Sequence, residues 1–378
     1  MKTSPLHFMI VAGEASGDMH AAHLVSAIKA LNPGVTFSGL GGQEMKDAGV
    51  EIYEDFTRLA VVGFVEVLKH YGEFRRCFDL VLAKARETRP RAVILVDYPG
   101  FNLRLAPELK KLGLKVFYYI SPQVWAWKAD RVEAIKKFTD KMLVLFQFEK
   151  DFYAKYGMDV DFVGHPLADM VHVTVPRETW LADMGLDSRA TTIGILPGSR
   201  RREIQTLLPV MLDAARILHR ENPRTQFLLL KAPTIPKDFL QSFLQNNALP
   251  LTVSENNFYD ALNACDVCLV ASGTATLETA LLNKPMVVIY KTSFLTWALA
   301  RMLIKIPYIG LVNVVAGKKI VPECVQFDAT GNKIAAELSK IYRNPAEMAR
   351  TQEDLQKVKG SLSSGAGRRA AEVILQNL

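Results

Sequence analysis

The chain has little cysteine and no long apolar run, and both scarcities restrict its class. Its 378 residues include four cysteines, at positions 77, 265, 268 and 324. Scattered thiols in such number cannot form a disulfide framework, so we expect a reducing compartment. No stretch reaches the roughly 18 consecutive apolar residues of a membrane-spanning helix, and the apolar run at 8–12 is too short for a signal-peptide core. These features predict a cytoplasmic protein.

The composition is that of an ordinary globular protein with a mild excess of positive charge. Hydrophobic residues make up 49% and charged residues 22%, which excludes a disordered chain. Lys and Arg number 46 against 39 Asp and Glu, a net charge of +7. That excess suits an anionic partner, a class that includes nucleic acid, an anionic membrane surface and a phosphorylated substrate.

Short apolar runs alternate with amphipathic stretches, which predicts parallel sheets covered on both faces by helices. The predicted strands of the first half are 7–12, 36–40, 92–96, 115–120, 142–145 and 161–163. After an irregular, proline-bearing stretch at 166–189, the pattern restarts with 191–196, 226–230, 251–253, 267–270 and 286–290.

This pattern predicts an α/β fold with two Rossmann-like, doubly wound parallel-sheet domains. We expect an N-terminal domain over 1–170, a C-terminal domain over 171–350, and a helical segment over 351–378 that packs back on the N-terminal domain. Ligands of such sheets bind beyond the carboxyl ends of the strands. Two domains that face each other would therefore form a cleft for two substrates.

The first strand runs into the loop Gly13-Glu14-Ala15-Ser16-Gly17-Asp18. Its glycines permit close approach of a ligand, and a helix N-terminus favours negative charge. The loop is not GxGxxG, so the dinucleotide fingerprint is absent. Two interpretations stay open: ligand contact through Gly13, Glu14, Ser16 and Gly17, or a tight turn capped by Ser16 or Asp18.

A second loop, Pro197-Gly198-Ser199-Arg200-Arg201-Arg202-Glu203, follows the strand predicted at 191–196. A glycine, the hydroxyl of Ser199 and guanidinium groups at a helix start are typical of a phosphate site. Arg200 lies nearest the loop apex and can donate two parallel hydrogen bonds to phosphate. The alternative is a solvated basic turn.

A third loop carries Ser272, Gly273 and Thr274 after the strand at 267–270. Its amides and hydroxyls could cradle a second phosphate. Glu278 lies one helical turn further on, where a carboxylate can accept hydrogen bonds from ribose hydroxyls or, alternatively, stabilise the helix dipole. The second and third loops together predict a nucleotide-diphosphate site.

Asp97 is the candidate catalytic residue. The apolar run 92–96 delivers one carboxylate at the end of a strand, and Pro99 prevents the strand from continuing. Such a carboxylate could accept a proton from an attacking hydroxyl as a general base. The alternative is an aspartate that caps the next helix.

Two spacings suggest metal ligands, but neither predicts a metal site. Cys265-x-x-Cys268 has no second Cys or His pair at a suitable distance. Asp159-x-Asp161 precedes a strand, away from the carboxyl edge, and is better interpreted as a solvated turn.

An apolar stretch at 59–68 is flanked by basic residues. It predicts contact with a bilayer interface, and an ordinary core helix is the alternative. The residues expected to make this contact are Val61, Val62, Phe64, Val65 and Leu68.

Four motifs, at 11–18, 121–127, 196–200 and 271–274, resemble the lipid A disaccharide synthases, and the similarity runs along nearly the whole chain. The motif Ser121-Pro122-Gln123-Val124-Trp125-Ala126-Trp127 is the most specific of them. The resemblance implies a GT-B glycosyltransferase fold that uses neither metal nor other cofactor. It implies inverting transfer from UDP-2,3-diacylglucosamine to 2,3-diacylglucosamine 1-phosphate, giving a β-1,6-linked disaccharide and UDP.

The same resemblance implies roles for individual residues. Asp97 is expected to be the base, and Arg200, Glu278 and Asn313 to bind the donor. Gln123 and Trp125 are expected to join the first loop on the acceptor side. The partner is then an anionic inner-membrane surface on the cytoplasmic side, not nucleic acid, and a homodimer stays open.

Two other classes of protein fit the same motifs less fully. One is another GT-B enzyme, such as a UDP-sugar 2-epimerase or a peptidoglycan-type glycosyltransferase. The other is a non-catalytic, membrane-associated nucleotide-binding module, in which Asp97 would be only a cap.

Overall fold

The computed structural model describes residues 6–57, 71–127, 131–245, 248–294, 297–298, 301 and 306–378, with Trp127 in its backbone only. The chain forms two compact units. The first comprises Met1–Asp169 and Ser363–Leu378, and the second comprises Met170–Leu362.

The first unit is built on a seven-stranded parallel sheet with the order β3-β2-β1-β4-β5-β6-β7. Its strands are β1 (His7–Ala12), β2 (Thr36–Gly41), β3 (Glu51–Asp55), β4 (Ala92–Val96), β5 (Lys115–Tyr119), β6 (Lys141–Val144) and β7 (Asp161–Phe162). Its helices are α1 (Ala15–Leu31), α2 (Gln43–Asp47), α3 (Tyr71–Thr88), α4 (Pro99–Lys111), α5 (Val124–Trp127), α6 (Val132–Phe138) and α7 (Gln147–Ala154). A short α8 (Leu167–Met170) ends this part of the chain.

The second unit is built on a six-stranded parallel sheet with the order β10-β9-β8-β11-β12-β13. Its strands are β8 (Thr191–Leu196), β9 (Thr225–Leu230), β10 (Leu251–Ser254), β11 (Val267–Ala271), β12 (Met286–Tyr290) and β13 (Glu323–Val325). Its helices are α9 (Arg177–Asp183), α10 (Arg201–Glu221), α11 (Lys237–Leu244), α12 (Phe258–Ala264), α13 (Ala275–Leu281), α14 (Leu311–Ala316), α15 (Gly331–Tyr342) and α16 (Pro345–Ser361).

The last helix, α17 (Ala366–Gln376), belongs to the first unit and packs against α1. The chain thus returns to the first unit at Ser363, later than the start at 351 expected for the C-terminal segment. Residues 351–361 continue α16, in which Leu355 and Val358 are buried. This helix packs against α13, α14 and α15 of the second unit.

All predicted strands are observed, within a few residues at their ends, because both faces of each sheet are covered. Strands β4 and β11 are buried at every position, as continuous Val, Ile and Leu runs require in a parallel sheet. The fold class predicted from the sequence, two Rossmann-like parallel-sheet domains, is confirmed. The stretch 59–68, with Val61, Val62, Phe64, Val65 and Leu68, lies outside the described residues. Within the described part of the chain, no helix is long and apolar enough to cross a bilayer.

Candidate functional site

Each sheet has one point where the strand order reverses direction, and the predicted loops lie there. In the first unit this point lies between β1 and β4, which pair in register with Ala12 opposite Val96. In the second it lies between β8 and β11, with Leu196 opposite Val270. Open α/β sheets bind their ligands outside the strand ends at this switch point. The first loop and Asp97 therefore follow neighbouring strand ends of the first sheet. The second and third loops follow neighbouring strand ends of the second sheet.

The backbone at Asp97 is held in an unusual conformation. Asp97 and Tyr98 have φ values of 46° and 47°, in the left-handed region. Such non-glycine residues cost roughly 1–3 kcal/mol each and persist only where the surroundings hold them. Here the carbonyl of Asp97 accepts hydrogen bonds from Asn102 Nδ2 at 2.8 Å and Tyr118 Oη at 2.7 Å. Tyr98 is the N-cap residue of α4, so the capping alternative for Asp97 is not what the structure shows.

Gly13 supports Tyr98 directly. A Cβ built on Gly13 would lie 2.3 Å from Cδ1 of the Tyr98 ring, so only glycine lets the ring pack against this loop. The first loop and the Asp97 segment are thus fitted to each other. The buried Gly13 faces a side chain of its own unit.

The remaining residues of the first loop have different roles. Glu14 is the N-cap of α1 and is half-buried, and its carbonyl accepts the amide of Asp18 at 2.8 Å. The Asp18 carboxylate is buried and accepts the amides of Gly42, Glu44 and Met45. It therefore anchors the β2–α2 connection and does not cap α1. Burial raises the pKa of Asp18, and these amide hydrogen bonds oppose that shift. Ser16 is half-buried and Gly17 is buried.

Glu149 is a buried carboxylate that the sequence did not single out. Its Oε2 accepts the amides of Leu145 and Phe146, both at 3.1 Å, and its Oε1 accepts the indole N–H of Trp125 at 3.2 Å. Burial raises its pKa to about 7, the hydrogen bonds oppose that rise, and the charge of Asp97 adds to it. Glu149 thus fixes Trp125, which is half-buried, while Gln123 in the same loop is exposed. The signal in the sequence was a glutamate three residues past Phe146, the N-cap residue of α7, which is the spacing of a capping box.

The second loop already binds an anion, the carboxylate of Glu203. Its Oε2 accepts the amides of Ser199 and Arg200 at 3.1 and 3.3 Å, and its Oε1 accepts Arg200 Nη1 at 2.7 Å. Gly198 adopts a φ of +111°, and a Cβ there would lie 2.5 Å from Glu203 Oε2. The loop amides and the Arg200 guanidinium therefore converge as a phosphate site requires, but here they donate to the Glu203 carboxylate.

The third loop leaves open space above its glycine. Gly273 is exposed, and a Cβ there would meet nothing within 4 Å. Ser272 is half-buried, and its Oγ donates to the carbonyl of Ile309 at 2.9 Å. Thr274 is the N-cap residue of α13. This geometry lets a ligand approach the loop backbone closely.

Glu278 is half-buried in the first turn of α13 and receives a hydrogen bond from Tyr259 Oη at 3.1 Å. Burial raises the pKa of Glu278 to about 7, and the hydrogen bond from Tyr259 opposes the shift. Its carboxyl is therefore poised between the neutral and charged forms near neutral pH. Tyr259 was not singled out from the sequence.

Asn313 is placed differently from the expectation of a direct donor contact. It is buried, its Nδ2 donates to Val321 O at 2.9 Å and Glu323 Oε1 at 2.8 Å, and its Oδ1 accepts the amides of Ile320 and Val321. These four bonds use the full capacity of an amide side chain. Glu323 in turn accepts the amides of Ile309 and Gly310. Through Glu323, Asn313 thus supports the backbone at Ile309, whose carbonyl accepts the hydrogen bond from Ser272. In this arrangement the side-chain amide of Asn313 has no group left for a ligand.

The cysteines and the aspartate with metal-ligand spacing make other contacts in the structure. Cys265 and Cys268 are buried, and a Cβ on Gly194 would lie 2.8 and 2.9 Å from their sulfur atoms. Asp161 pairs with Lys141 at 3.1 Å. In the part of the chain that the structure describes, no three His, Cys, Asp or Glu side chains cluster in a way that could hold a metal ion.

Comparison with solved structures gives the class. The UDP-GlcNAc 2-epimerase from Neisseria meningitidis, solved with UDP-GlcNAc, has a TM-score of 0.69 at 12% identity, with 98% of this chain and 100% of that chain covered. The kitacinnamycin glycotransferase has a TM-score of 0.66 at 14% identity, with both chains covered completely. The two sheets and their switch points therefore define a GT-B fold.

Comparison of sequences gives the family. The model of the family described as Lipid-A-disaccharide synthetase matches residues 8–377. The lipid-A-disaccharide synthase of Trichlorobacter lovleyi is 45% identical over 372 residues, which cover 98% of this chain and 97% of that protein. This chain belongs to the lipid-A-disaccharide synthetase family.

Proposed function

We propose that this chain transfers 2,3-diacylglucosamine from its UDP-linked form to 2,3-diacylglucosamine 1-phosphate, releasing UDP and a β-1,6-linked disaccharide phosphate. Family membership supports the reaction class. The observation that carries the mechanism is the position of Asp97 at a sheet switch point, on a backbone held by hydrogen bonds to its carbonyl. This is a position where a ligand of an α/β sheet meets a side chain.

In the proposed step, the acceptor hydroxyl oxygen attacks the anomeric carbon of the donor. The new C–O bond forms as the bond from that carbon to the diphosphate oxygen breaks, and the hydroxyl proton passes to Asp97. One displacement inverts the anomeric configuration. A positioned general base contributes roughly 10²–10⁴-fold to the rate.

Negative charge develops on the diphosphate of the departing UDP, which is proposed to bind to the second unit. The guanidinium of Arg200 and the amides of the second loop would stabilise this charge, as charged and dipolar donors do at developing oxyanions. Because Glu203 now holds these donors, the diphosphate must displace its carboxylate or share them with it. Ser272, Gly273 and Thr274 would border the diphosphate, and Glu278 would accept the ribose hydroxyls.

The acceptor side would use the first loop with Gln123 and Trp125. In this proposal the protein works as a peripheral enzyme on the cytoplasmic face of the inner membrane. The net charge of +7 favours an anionic lipid surface. Contact with the bilayer through 59–68 remains part of the proposal.

The test is product identification. Purified protein is mixed with UDP-2,3-diacylglucosamine and 2,3-diacylglucosamine 1-phosphate, and the products are identified by mass spectrometry. We expect UDP and the disaccharide phosphate in equal amounts. A parallel reaction with UDP-GlcNAc alone tests the epimerase alternative, and epimerised sugar without any disaccharide from the first mixture would refute the proposal.

A further inference from the structure

A cavity of about 350 Å³ lies in the first unit, between α3 and α4. Its volume is at the lower end of the roughly 300–1,000 Å³ typical of small-molecule sites. Aromatic rings form much of its lining, from Phe74 and Phe78 of α3 and from Tyr98 and Phe101 at the start of α4. We call it the aromatic cavity. Of the described residues that line it, none belongs to the first, second or third loop.

The walls are set by helix spacing and by ring packing. Phe74 and Phe78 are four residues apart and so share one face of α3. Phe78 meets Phe101 edge-on with ring centroids 5.7 Å apart, and Phe74 stacks on Tyr98 at 6.4 Å. Behind them the buried ring of Phe56 lies 4.7 Å from Phe101. The cavity is thus a preformed apolar space whose rings Phe74, Phe78 and Tyr98 stay partly exposed.

The cavity lies beside the proposed base. Tyr98, one of its walls, directly follows Asp97 and packs against Gly13 of the first loop. A ligand that fills the cavity would therefore lie next to the constrained Asp97–Tyr98 segment. This location matches the acceptor, because Asp97 is proposed to take the proton of the acceptor hydroxyl.

The rim of the cavity is cationic. Arg75 and Arg104 line it and both are exposed, and the Nε of Arg75 also pairs with the Asp79 carboxylate at 3.0 Å, which leaves its Nη groups to face a ligand. An apolar interior with guanidinium groups at its edge suits a hydrocarbon chain attached to an anionic group. A neutral apolar ligand would not need this rim, whereas the acceptor carries both acyl chains and a phosphate.

We propose that the aromatic cavity binds one acyl chain of the acceptor, with Arg75 and Arg104 on the side of its phosphate. The inference rests on the proposed function and deepens it. Each methylene moved out of water improves binding roughly fourfold, so the cavity would make affinity for the acceptor depend on chain length. The cavity is then the part of the protein that distinguishes long-chain from short-chain acceptors.

Gly100 offers a way to block the cavity without disturbing the fold. It lines the cavity in the first turn of α4, is exposed, and a Cβ there would meet nothing within 4 Å. Gly100→Leu therefore adds a branched side chain at the mouth, on a Cβ that has open space around it. Gly360→Leu is the matched control, because Gly360 is also helical, exposed and in open space, but lies in α16 of the second unit.

The experiment measures kcat and KM in fixed detergent micelles for two acceptors, one with the long acyl chains and one with four-carbon chains. For the long-chain acceptor, Gly100→Leu should raise KM about tenfold or more with kcat changed less than about twofold, the signature of lost binding. The difference from wild type should disappear with the four-carbon acceptor. Gly360→Leu should match wild type with both, and the Kd for UDP should stay the same in all three proteins.

Three results would overturn the inference. They are an unchanged KM of Gly100→Leu for the long-chain acceptor, an equal rise for both acceptors, or a loss confined to binding of phosphatidylglycerol vesicles without substrate. The last would assign the cavity to membrane lipid. Failure of the proposed function looks different, because wild-type protein would then form no disaccharide at all. If wild type is active and Gly100→Leu equals it, only the inference about the cavity fails.

Discussion

At the scale of single residues, the decisive feature is a pair of non-glycine residues in the left-handed region, Asp97 and Tyr98. Hydrogen bonds from Asn102 and Tyr118 to the carbonyl of Asp97 hold the first of them. The absence of a side chain at Gly13 makes room for the ring of the second. A backbone that costs free energy in this way is typical of functional positions. The conformation of Asp97 therefore depends on a loop that is distant in sequence.

This dependence predicts that Gly13→Ala damages the Asp97 segment. The added methyl would lie 2.3 Å from the Tyr98 ring, so the ring must move. We expect the unfolding free energy to fall by roughly 1–3 kcal/mol, as for other overpacked sites. Turnover should fall more than tenfold, roughly the effect of a 1.4 kcal/mol rise in barrier. Chemical denaturation and steady-state kinetics measure the two effects.

Gly17→Ala is the matched comparison for stability. It adds the same methyl in the same loop, but the nearest atom, Ala12 Cβ, is at 3.8 Å, an ordinary contact. Because Gly17 lies in α1, alanine should raise the unfolding free energy by roughly 0.5–1 kcal/mol. Equal destabilisation by both substitutions would show that Tyr98 is not the cause.

Glu278 predicts that UDP affinity depends on pH. Its pKa in the free protein is about 7 because of burial, and the charged form offers two strong acceptor oxygens to the ribose hydroxyls, whereas protonation turns one of them into a donor. Below pH 7 the group must lose a proton on binding. The Kd should then rise by up to about tenfold per pH unit as the pH falls, as measured by calorimetry from pH 8 to pH 6.

Two variants separate the pH dependence of the Kd that Glu278 causes from the part that UDP itself causes. The terminal phosphate of UDP titrates at about pH 6. Glu278→Gln should remove the part of the pH dependence that belongs to the protein. Tyr259→Phe removes a hydrogen bond that lowers the pKa of Glu278, so the midpoint should move to higher pH. Identical pH profiles in all three proteins would mean that Glu278 does not contact the nucleotide.

At the scale of elements, the apolar runs were sufficient to predict most strands. The loops proposed for the site all follow the ends of such strands. Buried parallel strands such as β4 must be continuously apolar, so they stand out in a sequence. Strand β3, with the sequence Glu-Ile-Tyr-Glu-Asp, was missed because it lies at the sheet edge and is mostly half-buried. Strand β13 was missed as well, and it lies at the edge of the second sheet with Cys324 as its one buried residue.

Residues that act through other residues could not be predicted in the same way. Glu149 and Glu203 accept backbone amides three and four residues before them, at the start of a helix, so their spacing was a usable local signal. Asn313 accepts the amides of Ile320 and Val321 across a loop, and a sequence does not show which amides such a loop brings within reach of a side chain. The resemblance implied that Asn313 belongs to the donor site, and the structure shows its side chain buried in four hydrogen bonds to Ile320, Val321 and Glu323.

The C-terminal helix α17 has its start stabilised by a residue far away in sequence. Asp169 accepts the amides of Gly365 at 2.6 Å and Ala366 at 3.0 Å. Asp169→Ala should therefore cost roughly 0.5–2 kcal/mol, as the loss of other N-terminal caps does. Amide hydrogen exchange should become faster across α17, as measured by mass spectrometry of its peptides.

Asp159→Ala is the control for this element. Asp159 is an exposed carboxylate of the same unit, and its loss should change neither exchange in α17 nor turnover. A similar acceleration of exchange in both variants would show that Asp169 is not a cap. Loss of turnover in Asp159→Ala alone would instead revive the metal-binding interpretation of the Asp159-x-Asp161 spacing.

At the scale of the whole molecule, two units of similar topology divide the proposed reaction between them. The first carries the proposed base and the aromatic cavity, and the second carries the loops proposed for the diphosphate and ribose. The sequence indicated both units but not where the chain returns to the first, because 351–361 and α17 are both helical and amphipathic. Only their packing partners distinguish them.

The central claim is that the switch point of the first unit supplies the base and that of the second binds UDP. The most direct measurement is kcat and the Kd for UDP in Asp97→Asn, with Asp55→Asn, at the end of the edge strand β3, as the reference. We predict that Asp97→Asn lowers kcat roughly 10²–10⁴-fold and leaves the Kd for UDP unchanged, while the reference keeps both values. Substantial turnover in Asp97→Asn, or a parallel loss of UDP binding, would contradict the account.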